Sequence, residues 1–243
     1  MRISAIIEAR MTSKRLPGKV LMKVNGKSLF EILVRRLKRV AELSDIILAT
    51  TTNDEDDVLV KEALKLKLKV FRGSEEKVVE RIVKASKKFK VDLIVGITAD
   101  CPLIDPEIVS NTINTYLNND VDYVSNGHVR SFPDGMDCHI FSRKVLKKSL
   151  KMIKKPQEIE HLGLSIRNNP KIFKKFTIIA PRSLHWPDLG LTLDEMDDFL
   201  FLEKIIKNFN DKKDFSCLDI INFLKKNKNL LKINQNVKRK GDN

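Results

Sequence analysis

Three cations that could hold a polyphosphate follow the first apolar run of the sequence. Arg10, Arg15 and Lys19 come after Ile3–Ile7, in a cationic segment (residues 8–29) that a Pro-Gly pair interrupts. A guanidinium donates to two phosphate oxygens at once, whereas an ammonium acts as a mobile point charge. The Walker A pattern is absent. The residue types predict a polyphosphate-binding loop, and a solvated basic loop is the alternative.

A carboxylate that could bind a metal follows a later apolar run. Asp100 comes just after Leu93–Thr98, and Cys101-Pro102 then turns the chain. Mg²⁺ takes one or two carboxylates and leaves its other positions to phosphate and water. Asp100 is therefore a candidate Mg²⁺ ligand. The alternative is a turn or helix-capping aspartate, of which Asp105 is an example a few residues on.

The elements that must position these groups alternate between strand and helix. Strands are predicted at Ile3–Ile7, Asp45–Thr50, Lys69–Phe71 and Leu93–Thr98. Helices are predicted at Leu29–Leu43, Val58–Leu66, Ser74–Lys88 with Ser74 as its cap, and Pro106–Leu117 with Asp105 as its cap. This alternation predicts an α/β fold with a doubly wound, mostly parallel sheet and helices on both faces. Such sheets bind ligands at the carboxyl ends of their strands, so Asp100 and the cationic segment would share one edge.

The pattern changes after about residue 120. Strands are predicted at Tyr123–Ser125, Cys138–Phe141 and Phe176–Ala180, and helices at Arg143–Met152, Ile159–Arg167, from about Glu195, and at Leu218–Lys226. We expect a single domain over residues 1–226, in which residues 120–185 form an insertion. Residues 227–243, which are rich in Lys and Asn, are predicted to be a frayed basic tail.

The composition narrows the class of protein. The net charge is +14, but the lysines are scattered along the chain and only 6% of residues are aromatic, which favours solvated helix faces over nucleic-acid binding. No apolar run approaches the roughly 20 residues that span a bilayer. We therefore expect a cytoplasmic protein with neither a membrane nor a nucleic acid as partner. The three cysteines are widely spaced, and we expect them to be reduced and at least partly buried.

A series of motifs is similar to those of one enzyme family. The run "IIEARMTSKRLPGKVL" resembles the opening signature of the cytidylyltransferases that activate sugar acids, among them the acylneuraminate and 3-deoxy-manno-octulosonate enzymes. The resemblance is closest to the branch named for spore coat polysaccharide biosynthesis. It is carried, in order, by "DIILATTTNDEDD", "VFRGSEEKVVER", "ITADCPLID", "DYVSN" and "FPDGMD". It extends from Met1 to about Asp198.

The resemblance implies a Rossmann-like nucleotide-diphospho-sugar transferase fold, CTP as substrate, Mg²⁺ as cofactor and a homodimer. It also implies site residues, which fall into four groups: Arg10, Arg15 and Lys19 on the triphosphate, with Asp100 completing the catalytic set; Asp100 and Asp194 on Mg²⁺; Ala5, Ile6, Ala9, Arg72 and Ser74 near the nucleoside; and Pro133, Asp134, Gly135, Asp137, Glu160 and His161 toward the sugar. Residues 120–185 would then contribute the acceptor site and the dimer contacts.

Two departures from the family pattern leave alternatives open. Many relatives have Gln or Pro where Glu8 stands. The segment "HWPDLGLTLDE" stands where the family pattern has "RWTVDTPED". Asp188 and Asp197 are therefore alternatives to Asp194 as the second metal ligand. Taken without the resemblance, His161 and Trp186 are more typical of structural residues.

The reaction implied is the transfer of CMP from CTP to a sugar or sugar acid, with release of pyrophosphate, in cell-surface polysaccharide or glycan biosynthesis. One alternative is the same chemistry with GTP or UTP and a sugar 1-phosphate. Another is a non-catalytic module that binds a nucleotide or a nucleic acid. The sequence does not identify the sugar.

Overall fold

A seven-stranded sheet forms the centre of the structure, a computed structural model that describes residues 1–209 and 214–239. The strands are β1 (Ile3–Glu8), β2 (Lys23–Val24), β3 (Lys27–Ser28), β4 (Asp45–Thr51), β5 (Lys69–Gly73), β6 (Leu93–Thr98), β7 (Tyr123–Ser125), β8 (His139–Ser142) and β9 (Lys175–Thr177). The order in the large sheet is β5-β4-β1-β6-β8-β7-β9, and β2 pairs with β3 in a separate antiparallel ribbon. In the large sheet β8 runs antiparallel to both of its neighbours, and the other pairings are parallel.

Helices cover both faces of this sheet. They are α1 (Leu29–Leu37), α2 (Asp57–Lys65), α3 (Val78–Lys88), α4 (Pro106–Leu117), α5 (Arg143–Leu150), α6 (Pro156–Glu160), α7 (Leu164–Arg167), α8 (Met196–Asn208) and α9 (Cys217–Lys226). Helices α1, α2 and α4 pack on one face, whereas α3, α5 and α7 pack on the other. A third apolar cluster joins α8 and α9 to the chain around Leu189, Leu191 and Leu193. The predicted doubly wound, mostly parallel α/β fold is confirmed.

Strand β1 lies at the middle of the sheet because it is apolar on both faces. Its Ala5 and Ile7 side chains point into one core cluster and Ile6 into the other. It pairs with β4 on one side and with β6 on the other, both in parallel. The chain that leaves β1 therefore emerges at the centre of the carboxyl edge, between the loops that follow β4 and β6.

Three predicted helices differ from the helices in the structure. Helix α1 ends at Leu37 rather than Leu43, although Val40 and Leu43 still contact the core from the following turns. Helix α3 starts at Val78 because the Ser74 hydroxyl accepts from the Lys77 N–H at 3.2 Å, which makes a turn before the helix. The predicted helix Ile159–Arg167 is two short helices, α6 and α7.

Gly163 separates these two helices. Its φ of 84° is left-handed, and an added Cβ would lie 3.0 Å from Tyr123 Oη. A side chain there would be strained by the backbone and would contact the tyrosine. The strand predicted at Phe176–Ala180 is also shifted, since β9 covers Lys175–Thr177.

The second half of the chain belongs to the same sheet. Residues 120–185, predicted as an insertion, contribute β7, β8 and β9 to it. The prediction of a frayed tail from Asn227 is corrected for residues 227–239, which include a 3-10 helix at Lys228–Lys232 and the buried Asn234. Residues 240–243 lie outside the described residues.

Two further sequence predictions concern membranes and thiols. In the described part of the chain, none of the helices combines the length and the apolar character needed to cross a bilayer. All three cysteines are free and buried, and burial raises the pKa of each thiol, to about 12 for Cys138 and Cys217. They are therefore protonated near neutral pH.

A buried carboxylate and a buried guanidinium connect helices α1, α4 and α9. Asp105 accepts from a backbone N–H in the first turn of α4 at 2.9 Å and from the Cys217 N–H at the start of α9 at 2.6 Å. The guanidinium of Arg36, in α1, donates to the carbonyls of Ile104 at 2.7 Å and Phe215 at 3.0 Å. Burial lowers the pKa of Arg36 to about 10, and the charge of Asp105 opposes that shift. The two ions therefore link α1, α4 and α9.

We expect Asp105→Ala to lower the free energy of unfolding by about 2–4 kcal/mol, because it removes a helix cap and leaves a buried N–H without its acceptor. Ser216→Ala is the matched control. It removes the side-chain cap of α9 without orphaning a buried donor, so about 1 kcal/mol is expected. Urea unfolding followed by circular dichroism measures both, and equal losses would contradict the bridging role of Asp105.

Candidate functional site

The loops predicted to carry chemistry meet at the carboxyl edge of the sheet. Glu8, the last residue of β1, lies beside Thr98, the last residue of β6. Asp100 follows two residues later, and its carbonyl accepts from the Leu193 N–H at 2.8 Å. This bond brings the segment before α8, which contains Asp194, to the same edge. Three distant parts of the sequence therefore converge there.

A left-handed glycine directs the cationic segment back over the strand ends. Gly18 has φ of 71°, and its N–H donates to the Met11 carbonyl at 2.9 Å. It precedes a short 3-10 helix, Lys19–Leu21. A residue with a Cβ would be strained at this backbone angle, so glycine suits the turn. The turn points Lys19 inward, toward Asp100 and Asp194.

Lys19 connects the two aspartates that the family resemblance implied as metal ligands. Its Nζ lies 3.2 Å from Asp194 Oδ1 and 3.5 Å from Asp100 Oδ2, and it also donates to the Leu193 carbonyl. Only 11% of the lysine side chain is exposed. Two carboxylates thus share one mostly buried cation, which reduces the repulsion between their negative charges. The competing aspartates, at positions 188 and 197, are exposed.

The other two predicted cations also pair with carboxylates. Arg15 contacts Asp194 Oδ1 at 2.6 Å and Glu195 Oε1 at 3.6 Å. Arg10 contacts Glu75 Oε1 at 2.7 Å, and 44% of its side chain is exposed. The cationic segment therefore presents partly exposed guanidinium groups whose present partners are carboxylates of the protein. Exposed ion pairs of this kind are weak, so a stronger anion could replace the carboxylates.

Asp56 fixes the beginning of the cationic segment and was missed by sequence reasoning. Its buried carboxylate accepts from the Met11 N–H at 2.6 Å, the Thr50 hydroxyl at 2.7 Å and the Thr51 N–H at 3.0 Å. Burial raises the pKa of Asp56, but these hydrogen bonds outweigh that effect and lower it overall. The local signal is a pair of threonines, at the end of a strand, shortly before an acidic run.

Glu75 holds the same segment from the other side and was also missed. Its carboxylate accepts from the Thr12 hydroxyl at 2.8 Å and the Asn53 amide at 2.6 Å, in addition to its pair with Arg10. These hydrogen bonds, with the charge of Arg10, lower the pKa of Glu75. The carboxylate is therefore ionised at neutral pH.

The residues predicted near the nucleoside lie in different parts of the fold. Ala5 and Ile6 are fully buried within β1 and their side chains fill the core, and a contact of their backbone with a nucleoside stays a prediction. Ala9 lies just past the strand and is 8% exposed. Ser74 closes the turn before α3.

Arg72, at the carboxyl edge of β5, is occupied by structural contacts. Its guanidinium donates to the carbonyls of Thr51 at 2.8 Å and Asn53 at 2.7 Å, and it pairs with Asp57. It therefore supports the loop after β4, and a direct contact with a nucleoside stays a prediction.

The "FPDGMD" loop predicted on the sugar side lies next to the segment that precedes Asp194. The Asp134 N–H donates to the Leu189 carbonyl at 2.9 Å, and the Leu191 N–H donates to the Asp134 carbonyl at 2.7 Å. Gly135 has φ of 103°, and an added Cβ would be 2.8 Å from the Leu191 carbonyl carbon. Glycine is therefore the residue that permits this close approach.

The other residues predicted on the sugar side differ in their burial. Asp137 is partly buried and lies against Gly127, since a Cβ added at Gly127 would be 2.8 Å from the Asp137 Cγ. Glu160 and His161 are exposed at the end of α6. Trp186 packs against the third apolar cluster, as a structural residue does.

Glu8 is an acid in an environment that disfavours its charge. Burial raises its pKa to about 7; the charge of Arg81 lowers it, that of Asp100 raises it and that of Arg10 lowers it. A folded-state pKa above the unfolded value means that the neutral carboxyl stabilises the fold relative to the anion. That contribution is full below about pH 4.5 and is lost as the pH rises to about 7.

We expect Glu8→Gln to be more stable than the wild type at pH 8 and to show no such gain near pH 4, because glutamine cannot ionise. The gain should develop between about pH 4.5 and 7 and reach at most about 3 kcal/mol. Urea unfolding across this pH range tests it, with the exposed Glu55→Gln as control. A gain that is the same at every pH would contradict the assignment.

The fold and the site define a class of protein. A parallel sheet with a cationic turn after its central strand and two carboxylates beside it is suited to phosphate transfer. The sequence profile of the family described as "Cytidylyltransferase" matches residues 4–237. The chain belongs to the cytidylyltransferase family and is a nucleotidyltransferase.

Relatives extend over nearly the whole chain. An uncharacterized protein, MJ1063, of Methanocaldococcus jannaschii is 38% identical over 240 residues, covering 99% of this chain and 97% of its own length. The spore coat polysaccharide biosynthesis protein SpsF of Bacillus subtilis is 31% identical over 227 residues, covering 91% and 93%. The resemblance to the spore coat branch, predicted from the motifs, is confirmed.

A solved structure has the same fold. A cytidylyltransferase from Leptospira borgpetersenii superposes with a TM-score of 0.91 at 32% identity, covering 99% of this chain and 100% of that one. The predicted nucleotide-diphospho-sugar transferase fold is thus confirmed, including the second half of the chain.

Proposed function

We propose that the protein transfers CMP from CTP to a hydroxyl group of a sugar or sugar acid, with release of pyrophosphate, in the synthesis of a cell-surface polysaccharide. The observation that carries the proposal is the convergence of Asp100 and Asp194 on Lys19, beside the cationic segment at the carboxyl edge. Family membership supports CTP as the nucleotide. The name of the Bacillus subtilis relative supports polysaccharide synthesis.

The carboxylates of Asp100 and Asp194 fit the donor set that Mg²⁺ prefers. Both supply hard oxygen ligands, and both already lie around one positive charge. Among the residues that the structure describes, no cluster of three or more His, Cys, Asp or Glu side chains could hold a metal. The two aspartates would therefore hold Mg²⁺ together with phosphate oxygens and water, and the bound ion would polarise the phosphate.

The cations of the chain would bind and orient the triphosphate. Arg10, Arg15 and Lys19 each exchange a protein carboxylate for a phosphate oxygen when the nucleotide binds. Because at least 31% of each arginine side chain is exposed, separating its present ion pair costs little. The acceptor hydroxyl attacks the α-phosphorus, the bond to pyrophosphate breaks, and these cations stabilise the charge on the departing oxygens.

Lys19→Met and Asp100→Asn should each lower the rate of pyrophosphate release by about 10²–10³-fold, because the first removes a cation that would neutralise the triphosphate and the second removes an anionic ligand that would hold Mg²⁺. Asp100→Asn should unfold within a few degrees of the wild type, whereas Lys19→Met, which leaves two facing carboxylates without their shared cation, should unfold at a lower temperature but still cooperatively. Lys23→Met, which removes an exposed lysine of the same segment, is the control and should keep full activity. Turnover near the wild-type rate in either site variant would remove that residue from the proposed mechanism.

The nucleotide and the acceptor can be tested separately. In thermal shift measurements with Mg²⁺, CTP should stabilise the protein more than GTP or UTP, because only bound ligand stabilises the folded state. Pyrophosphate release is then measured with CTP and a panel of sugar acids, neutral sugars and sugar 1-phosphates. A preference for GTP or UTP together with a sugar 1-phosphate would replace the proposal. Oligonucleotide binding without pyrophosphate release would indicate a binding module instead.

A further inference from the structure

The C-terminal segment, residues 227–239, returns to the candidate site. Arg239 contacts Asp198 Oδ1 at 2.6 Å and donates to the Thr192 hydroxyl at 2.8 Å, and its Nη1 lies 3.9 Å from Asp194 Oδ2. The Lys238 carbonyl accepts from Arg15 Nη1 at 3.2 Å. The last described residues of the chain thus lie against residues that the proposed function uses.

The contact with Asp198 connects this segment to the backbone of Asp194. Asp198 is fully buried, and its Oδ2 accepts from the N–H groups of Asp194 at 2.9 Å and Glu195 at 3.0 Å, at the start of α8. Its Oδ1 accepts from Arg239 and from the Asn234 amide at 2.9 Å. A buried carboxylate needs compensation of its charge. One oxygen therefore holds Asp194 in place, while the other is held by the C-terminal segment.

The guanidinium of Arg239 lies on the backbone of Gly190. A Cβ added at Gly190 would lie 2.1 Å from Arg239 Nη2, so the guanidinium packs directly on the glycine. The Gly190 carbonyl accepts from the Asn234 amide at 3.1 Å. Gly190 also forms a bridge with Asp134 on its other side. The segment before Asp194 is consequently held between the "FPDGMD" loop and the C-terminal segment.

We infer that Arg239, together with Asn234, is a positioning residue of the nucleotidyl-transfer site, acting on Asp194 through the buried carboxylate of Asp198. Arg239 compensates the charge of Asp198, and Asp198 in turn orients the backbone that carries the Asp194 carboxylate. The inference rests on the proposed role of Asp194 in holding a divalent metal. It assigns a function to a segment whose sequence predicted only a frayed basic tail.

The test measures Mn²⁺ binding in the presence of CTP by electron paramagnetic resonance, together with kcat and KM for CTP. Arg239→Met should weaken Mn²⁺ binding by about tenfold or more and lower kcat, with a smaller change in KM, since the displaced group is a metal ligand. Arg239→Lys should restore much of the affinity, because an ammonium still pairs with Asp198, and it also covers the case in which the methionine variant folds poorly. Lys232→Met, an exposed cation of the same segment, should match the wild type.

A double-mutant cycle separates positioning from general destabilisation. Asp198→Asn keeps an oxygen for the backbone N–H groups but removes the charge that Arg239 compensates. Arg239→Met should therefore have a much smaller effect on Mn²⁺ affinity in the Asp198→Asn background than in the wild type. Additive effects of the two substitutions would overturn the inference.

Failure of the metal role of Asp194 and failure of the positioning role of Arg239 give different results. If wild-type protein fails to bind Mn²⁺ with CTP, or if Asp194→Asn binds it equally well, the proposed metal role of Asp194 fails. If Asp194→Asn loses binding but Arg239→Met retains wild-type affinity and kcat, only the inference about Arg239 fails.

Discussion

The site depends on one lysine ammonium shared by two carboxylates. Without Lys19, Asp100 and Asp194 would face one another in a partly buried environment where like charges repel. The fold brings Lys19 and Asp100 together because β1 and β6 are adjacent and parallel, so the loops after both strands leave at the same edge. The hydrogen bond from Leu193 to the Asp100 carbonyl then adds the chain before α8. The positions of the other cations follow, since Arg15 shares Asp194 with Lys19.

The architecture was accessible from sequence because its signals are local. Strand and helix alternate along the first half, and apolar runs as short as Leu93–Thr98 are typical of strands covered on both faces. The errors occurred where a local pattern continued past a break in the backbone. Apolar spacing persists to Leu43 although α1 ends at Leu37. Gly163 divides a segment whose spacing resembles one helix.

The site was accessible only in part. Asp100 is recognisable because it follows a strand, but Asp194 was found through the family motif alone, with Asp188 and Asp197 as alternatives. The structure places Asp194 beside Lys19 and leaves the other two aspartates exposed. The burial of the Ala5 and Ile6 side chains was not predicted, because a motif read along the chain does not say which of its residues lie inside the sheet. The roles of Asp56, Glu75 and Arg239 depend on partners far away in sequence or on other loops, and no periodic pattern encodes such pairs.

The packing of Arg239 on Gly190 has a consequence for the order in which parts of the protein fold during synthesis. A ribosome makes the cationic segment first and this arginine more than two hundred residues later. Domains generally begin to fold during synthesis from the N-terminal side, so the central sheet can form while the carboxylate of Asp198 still lacks its counter-ion. A nascent chain in that state has its strands in register but an incompletely neutralised interior. Synthesis of the segment that contains Arg239 therefore completes the charge compensation of Asp198 at the carboxyl edge of the sheet.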